Sequence, residues 1–152
     1  FKLPEPLIQK ETAIVPGIDG QKMSKSYNNT IPLFATDEEI TKAVMSIATD
    51  SKTPEEPKET EGDTLYTLHT LFTTGSDLEK ITNGYKEGGL SYKESKDILI
   101  KSISDMITPL REKRFEIAKD VEAVKKILEE GGKKAREQAQ KKMEVVRKNV
   151  GI

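Results

Sequence analysis

Three short strings constrain this chain more than anything else in it: Thr36-Asp-Glu-Glu39, Ser76-Asp-Leu-Glu79 and Ser91-Tyr-Lys-Glu94. Each sets a hydroxyl three residues before a Glu, the pattern in which the two side chains take backbone N–H groups at the start of a helix. Apolar residues at helical spacing follow each one. Ile40, Ala43, Val44 and Ile47 form a stripe in a helix expected to end near Thr49. Leu78, Ile81 and Tyr85 form a shorter stripe closed by Gly88-Gly89, and Leu99, Ile103, Met106, Leu110 and Ile117 form the longest, with a kink expected at Pro109. Asp63 is placed to cap a further helix carrying Leu65, Leu68, Leu71 and Phe72, which Gly75 is expected to stop. Asp120 is placed to cap one carrying Val121, Val124, Ile127 and Leu128, with Gly131-Gly132 as its end. A last helix from about Lys133 to Asn149 is expected to turn Ala135, Ala139, Met143, Val146 and Val150 inward. Nothing after Ile31 reads as a strand, so the fold class is mainly α: a helical bundle with a short α/β remnant at its N-terminus.

That remnant rests on Thr12-Ala-Ile-Val-Pro16, a β-branched run cut off by Pro16 and Gly17 and read as a short buried strand. A Gly-rich segment follows, and open α/β sheets bind their ligands at the carboxyl ends of strands. The segment holds Lys22-Met23-Ser24-Lys25-Ser26, and Pro16, Gly17 and Gly20 keep it from forming a regular helix. Two ammonium groups three residues apart, with the Ser24 and Ser26 hydroxyls, suit a polyanion such as a nucleotide triphosphate. By composition alone the segment is an ordinary solvated loop; the literal five-residue string is what turns the reading toward a nucleotide.

Composition excludes several alternatives. With 34% of residues charged and 5% aromatic, the chain must use its apolar positions economically. It has no cysteine, which removes disulfides and thiolate metal sites and is compatible with a cytoplasmic location. No apolar run approaches membrane-spanning length. Charge is uneven: residues 1–100 hold 11 basic and 17 acidic side chains, residues 101–152 hold 14 and 9. The basic group Lys133, Lys134, Arg136, Lys141, Lys142, Arg147 and Lys148 fits either a phosphate backbone or a merely soluble helix face. The group Glu55, Glu56, Glu59, Glu61 and Asp63 reads as a solvated acidic loop, disorder included, over residues 50–63. Asp19 reads as a turn residue, and His69, the only histidine, as structural rather than a general base.

The string Lys22–Ser26 resembles the KMSKS loop of class I aminoacyl-tRNA synthetases. Phe1-Lys-Leu-Pro-Glu-Pro-Leu-Ile8, Val15-Pro-Gly-Ile-Asp-Gly20, Ser26-Tyr-Asn-Asn-Thr-Ile31, Ala48-Thr-Asp-Ser51, Gly131-Gly-Lys-Lys-Ala-Arg136, Val145-Val-Arg147 and Val150-Gly151 are similar to the bacterial tryptophanyl-tRNA synthetases. The resemblance implies a C-terminal portion of such an enzyme. Residues 1–34 would be the end of the nucleotide-binding domain and residues 35–152 the helical anticodon-binding domain. It implies ATP as substrate, with Mg2+ accompanying ATP, and tRNA(Trp) and tryptophan as partners of the full-length enzyme. Lys25 and Lys22 would be catalytic, and Lys22, Met23, Ser24, Lys25 and Ser26 would bind ATP. The full-length enzyme is expected to be a homodimer, while this portion could stand as a monomer or pair through its exposed sheet remnant. The family's His-x-Gly-His type motif is absent, so the chain alone is expected not to catalyse adenylation. A tyrosyl-tRNA synthetase fragment and a stand-alone helical tRNA-binding module are the alternatives.

Overall fold

A computed structural model describes residues 2–9 and 13–152. Residues 2–9 carry neither helix nor strand; Leu3 and Leu7 are 90% and 96% exposed. The described residues form five α-helices: α1 Asp37–Met45, α2 Thr64–Phe72, α3 Gly75–Glu87, α4 Tyr92–Ala118 and α5 Val121–Val150. The chain divides into two compact units, Phe1–Leu110 and Arg111–Ile152.

The first unit holds the core. Ile40, Val44 and Ile47 meet Leu65 and Leu68 of α2 and Leu99, Ile103 and Ile107 of α4. The Thr36 capping box forms in full: Thr36 N–H donates to Glu39 Oε2 at 2.8 Å and Glu39 N–H to Thr36 Oγ1 at 3.2 Å. Helix α1 stops at Met45, short of Thr49, because its last carbonyls find other donors. Lys96, from α4, donates through Nζ to the carbonyls of Met45 (3.0 Å) and Ile47 (2.7 Å). Asp63 caps α2 as expected, accepting Tyr66 N–H at 2.6 Å.

The other two boxes differ from the sequence reading. Helix α3 begins at Gly75 with Thr74 as its N-cap and no side-chain cap, so Ser76 lies inside the helix and Gly75 opens it rather than stopping α2. Helix α2 ends at Thr73, whose backbone is extended and whose hydroxyl is drawn into the core beside His69 and Ser102. At α4 only half the box forms: Glu94 N–H donates to Ser91 Oγ, while the Glu94 carboxylate pairs with Lys80 at 2.6 Å.

Residues 50–63 are also not a free loop. Lys58 is 5% exposed, its N–H donates to the Tyr85 carbonyl at 2.6 Å, and its ammonium donates to the carbonyls of Thr53 and Glu56 and lies 5.2 Å from the centre of the Tyr92 ring. Gly89 N–H donates to Pro54 O, fastening the other end.

Along α4 the buried row is Leu99, Ile103 and Ile107, whereas Met106, Leu110 and Ile117 are 51%, 44% and 49% exposed. Helix α4 runs unbroken through Pro109. In the second unit, α5 is one 30-residue helix that passes through Gly131-Gly132 instead of ending there. No α5 residue is buried, so the expected inward stripe at Ala135, Ala139, Met143, Val146 and Val150 is not formed. Two glycines in a helix interior each cost about 1 kcal/mol, which the good helix formers around them outweigh in the absence of competing contacts. The stripe stays open because the second unit alone supplies no surface to cover it.

Candidate functional site

The segment Val15–Ile31 is a compact hydrogen-bonded loop set on the core of the first unit. Val15, Ile18 and Ile31 pack against the cluster built by α1, α2 and α4. No strand forms here among the described residues; the strand expected at 12–16 reduces to an isolated antiparallel bridge between Pro16 and Lys22, and Thr12 lies outside the described residues. The turns at Gly17 and Gly20 explain this. Gly17 N–H donates to Gln21 O at 2.7 Å and Gly20 N–H to Gly17 O at 3.0 Å, which folds the chain back before a ladder can extend. Met23 N–H donates to Val15 O at 2.9 Å and closes the base of the loop.

Ser24 then opens a single 3-10 turn, Lys25–Tyr27, by accepting Ser26 N–H on its hydroxyl at 3.2 Å. Asn28 ends the turn at φ 53°, the one left-handed residue other than glycine among the described residues, a conformation that asparagine tolerates well. Lys22, Lys25 and Ser26 are exposed; Met23 and Ser24 are half-buried. Among the described residues neither Lys22 nor Lys25 makes an ion pair. Both ammonium groups therefore face solvent from a backbone that is held in place.

Asn29 holds it. This residue is 1% exposed, and its amide oxygen accepts Ser24 N–H at 2.7 Å. Its amide nitrogen donates to Asp19 Oδ1 at 2.7 Å and to the Lys22 carbonyl at 3.3 Å, and its own carbonyl accepts Ile18 N–H at 3.0 Å. Gly17 packs on it so closely that a Cβ there would lie 2.6 Å from the Asn29 carbonyl oxygen. Asp19 also accepts Gln21 N–H at 3.0 Å, so it makes the expected local turn and anchors Asn29 as well. Sequence reading passed over Asn29; a polar residue at the end of a Gly-rich loop was its only signal.

The remaining candidates lie elsewhere. His69 is fully buried on α2, with Nδ1 2.8 Å from Thr73 Oγ1 and Nε2 3.1 Å from the Ser95 carbonyl, and burial lowers its pKa to about 4. Lys133, Lys134, Arg136, Lys141, Lys142, Arg147 and Lys148 are all exposed along α5. Glu55, Glu59 and Glu61 are exposed, while Glu56 accepts Thr53 N–H and Asp63 is spent as a cap. Among the described residues, no group of three or more His, Cys, Asp or Glu is placed to hold a metal ion.

A family profile described as tRNA synthetases class I (W and Y) matches residues 1–114. The whole chain is 44% identical to a tryptophan–tRNA ligase of Fusobacterium nucleatum, covering 46% of it, and 41% identical to that of Rhodopirellula baltica, covering 48%. A crystal structure of tryptophanyl-tRNA synthetase from Campylobacter jejuni, complexed with ADP and tryptophan, superposes with a TM-score of 0.79 at 36% identity; the match covers 100% of this chain and 48% of that one. The chain thus spans about half the length of the curated relatives it matches.

Proposed function

The chain belongs to the class I tRNA synthetases (W and Y), and on that premise we propose that it is the C-terminal portion of a tryptophan–tRNA ligase. In this reading residues 1–34 complete the nucleotide-binding domain and residues 35–152 form the helical, tRNA-recognising domain. The full-length enzyme activates tryptophan with ATP and transfers it to tRNA(Trp), as a cytoplasmic homodimer. The tyrosine alternative has less support, since the relatives named above are tryptophan enzymes.

The observation that carries the reading is a pair of exposed lysines, Lys22 and Lys25, on a loop whose backbone is fixed from beneath. In adenylation the amino-acid carboxylate attacks the α-phosphorus of ATP and pyrophosphate departs. Negative charge grows on the bridging oxygen and on the pyrophosphate as that bond breaks. An ammonium group there stabilises the transition state more than the ground state, the condition for catalysis. Lys25 takes this role, and Lys22 assists it or sets the loop. Met23 offers backbone toward the adenine, and the Ser24 hydroxyl is engaged in holding the turn. In this reading Mg2+ arrives with ATP, on its phosphate oxygens.

In a full-length ligase carrying this chain, Lys25→Ala is expected to lower the rate of tryptophan-dependent ATP–pyrophosphate exchange by about 100-fold or more, by analogy with loss of one oxyanion donor. ATP binding changes far less. An unchanged exchange rate would refute the assignment. The chain alone is expected to show no exchange.

A further inference from the structure

We propose that Asn29 is a positioning residue: a buried latch that locks the backbone of Lys22–Lys25 into one anion-receiving geometry. The inference rests on the polyanion reading of that loop.

Two neighbouring asparagines divide the task. Asn28 supplies the left-handed backbone that ends the turn, whereas Asn29 turns inward and leaves almost no surface exposed. Its side chain uses both ends of the amide at once. The oxygen takes the Ser24 N–H, and the nitrogen bridges Asp19 and the Lys22 carbonyl. The bonded groups lie five, ten and seven residues away, so a single side chain ties the entry and the middle of the loop together. No other residue type of that size presents a donor and an acceptor in this fork.

Two consequences follow for the lysines. The Lys22 carbonyl and the Ser24 N–H are both fixed, so the backbone between the two ammonium groups keeps one conformation and Lys25 begins its 3-10 turn from a set position. Gly17 is part of the device, because only a residue without a Cβ lets the chain lie against Asn29. The loop then meets a polyphosphate with its backbone already ordered, so that little ordering remains to be done on contact.

The test uses this chain and inorganic triphosphate as probe, followed by NMR. One readout is hydrogen exchange at the Ser24 amide without anion. The other is the triphosphate-induced shift of the Lys22 and Lys25 amides, with Ile40 and Leu99 exchange as the control for the fold. In Asn29→Ala the Ser24 amide is expected to exchange about tenfold faster or more, and triphosphate affinity to fall about fivefold or more, a loss of the order of 1 kcal/mol, while Ile40 and Leu99 stay protected. Asn29→Asp keeps the size but sets a carboxylate against Asp19 and the Lys22 carbonyl, and behaves similarly. Adding Asp19→Asn to it restores a donor–acceptor pair and recovers much of the protection and affinity.

Unchanged Ser24 exchange in Asn29→Ala overturns the latch. Lost protection with unchanged triphosphate affinity overturns its positioning role, as does a swap that recovers nothing. A parent chain whose Lys22 and Lys25 amides do not respond to triphosphate overturns the polyanion reading itself, a separate failure visible before any substitution.

Discussion

His69 shows how burial sets chemistry at a single residue. Its ring is enclosed, with Nδ1 at Thr73 Oγ1 and Nε2 3.1 Å from the Ser95 carbonyl and 3.0 Å from the Ser95 hydroxyl. Desolvation lowers its pKa from 6.5 to about 4, with the bond to Ser95 acting in the opposite sense. The unfolded chain therefore takes up this proton at a higher pH than the folded one. Stability falls as pH drops from about 6.5 to about 4 and this contribution is flat below, with a total of about 3 kcal/mol. Urea unfolding at pH 7 and pH 4.5 is the check: the native chain should lose about 2–3 kcal/mol more than His69→Gln over that interval, because carboxylate effects are common to both and cancel. The reading of His69 as structural came from its place beside an apolar stripe, and that much the sequence carried. Asn29 was not legible in the same way, since its partners Asp19, Lys22 and Ser24 are not at any helical or strand spacing from it.

At the scale of the helix, identical signatures have different outcomes. Thr36 and Ser76 both precede a Glu by three residues, yet only Thr36 is an N-cap. Thr36→Ala is expected to cost about 1 kcal/mol, a drop of about 2–4 °C in the melting midpoint of a chain this long. Ser76→Ala should leave the midpoint unchanged or raise it slightly, since the hydroxyl caps nothing and alanine is the better helix former. Calorimetry of the two variants separates a true cap from a coincidental string. Helix α5 gives the complementary case. At Gly131 and Gly132 a methyl group would point into open space, with nothing within 4 Å, so Gly131→Ala and Gly132→Ala should each stabilise the helix by about 1 kcal/mol. The helical circular dichroism signal at 222 nm should strengthen and melt later. If the two glycines ended a helix, as their sequence suggested, the same changes would instead destabilise it.

At the scale of the whole molecule, the division at Leu110 separates charge as well as packing. The first unit holds 12 basic and 18 acidic side chains and the second 13 and 8, balances of −6 and +5. On the proposed reading tRNA meets the lysines and arginines of the second unit, and its binding should weaken about tenfold or more between roughly 50 and 200 mM salt. Replacing Lys133, Lys134 and Arg136 with alanine should flatten the slope of log affinity against log salt by about 0.7–0.9 for each phosphate that is no longer neutralised; an unaltered slope would remove these residues from the interface. The sequence by itself determined what short-range physics governs: helical periodicity, the caps at Thr36, Asp63 and Asp120, and the two-lysine loop that Pro16, Gly17 and Gly20 keep out of a helix. Only the tertiary structure decided what distant groups do to one another. Lys96 reaches back 51 and 49 residues to end α1 at Met45, Lys58 pins an acidic loop onto α3, and α5 runs straight past its glycines with its apolar stripe open. A cap or a stripe is written within a few residues, but whether a polar side chain finds its partner, or a stripe its cover, depends on which surfaces the fold brings together.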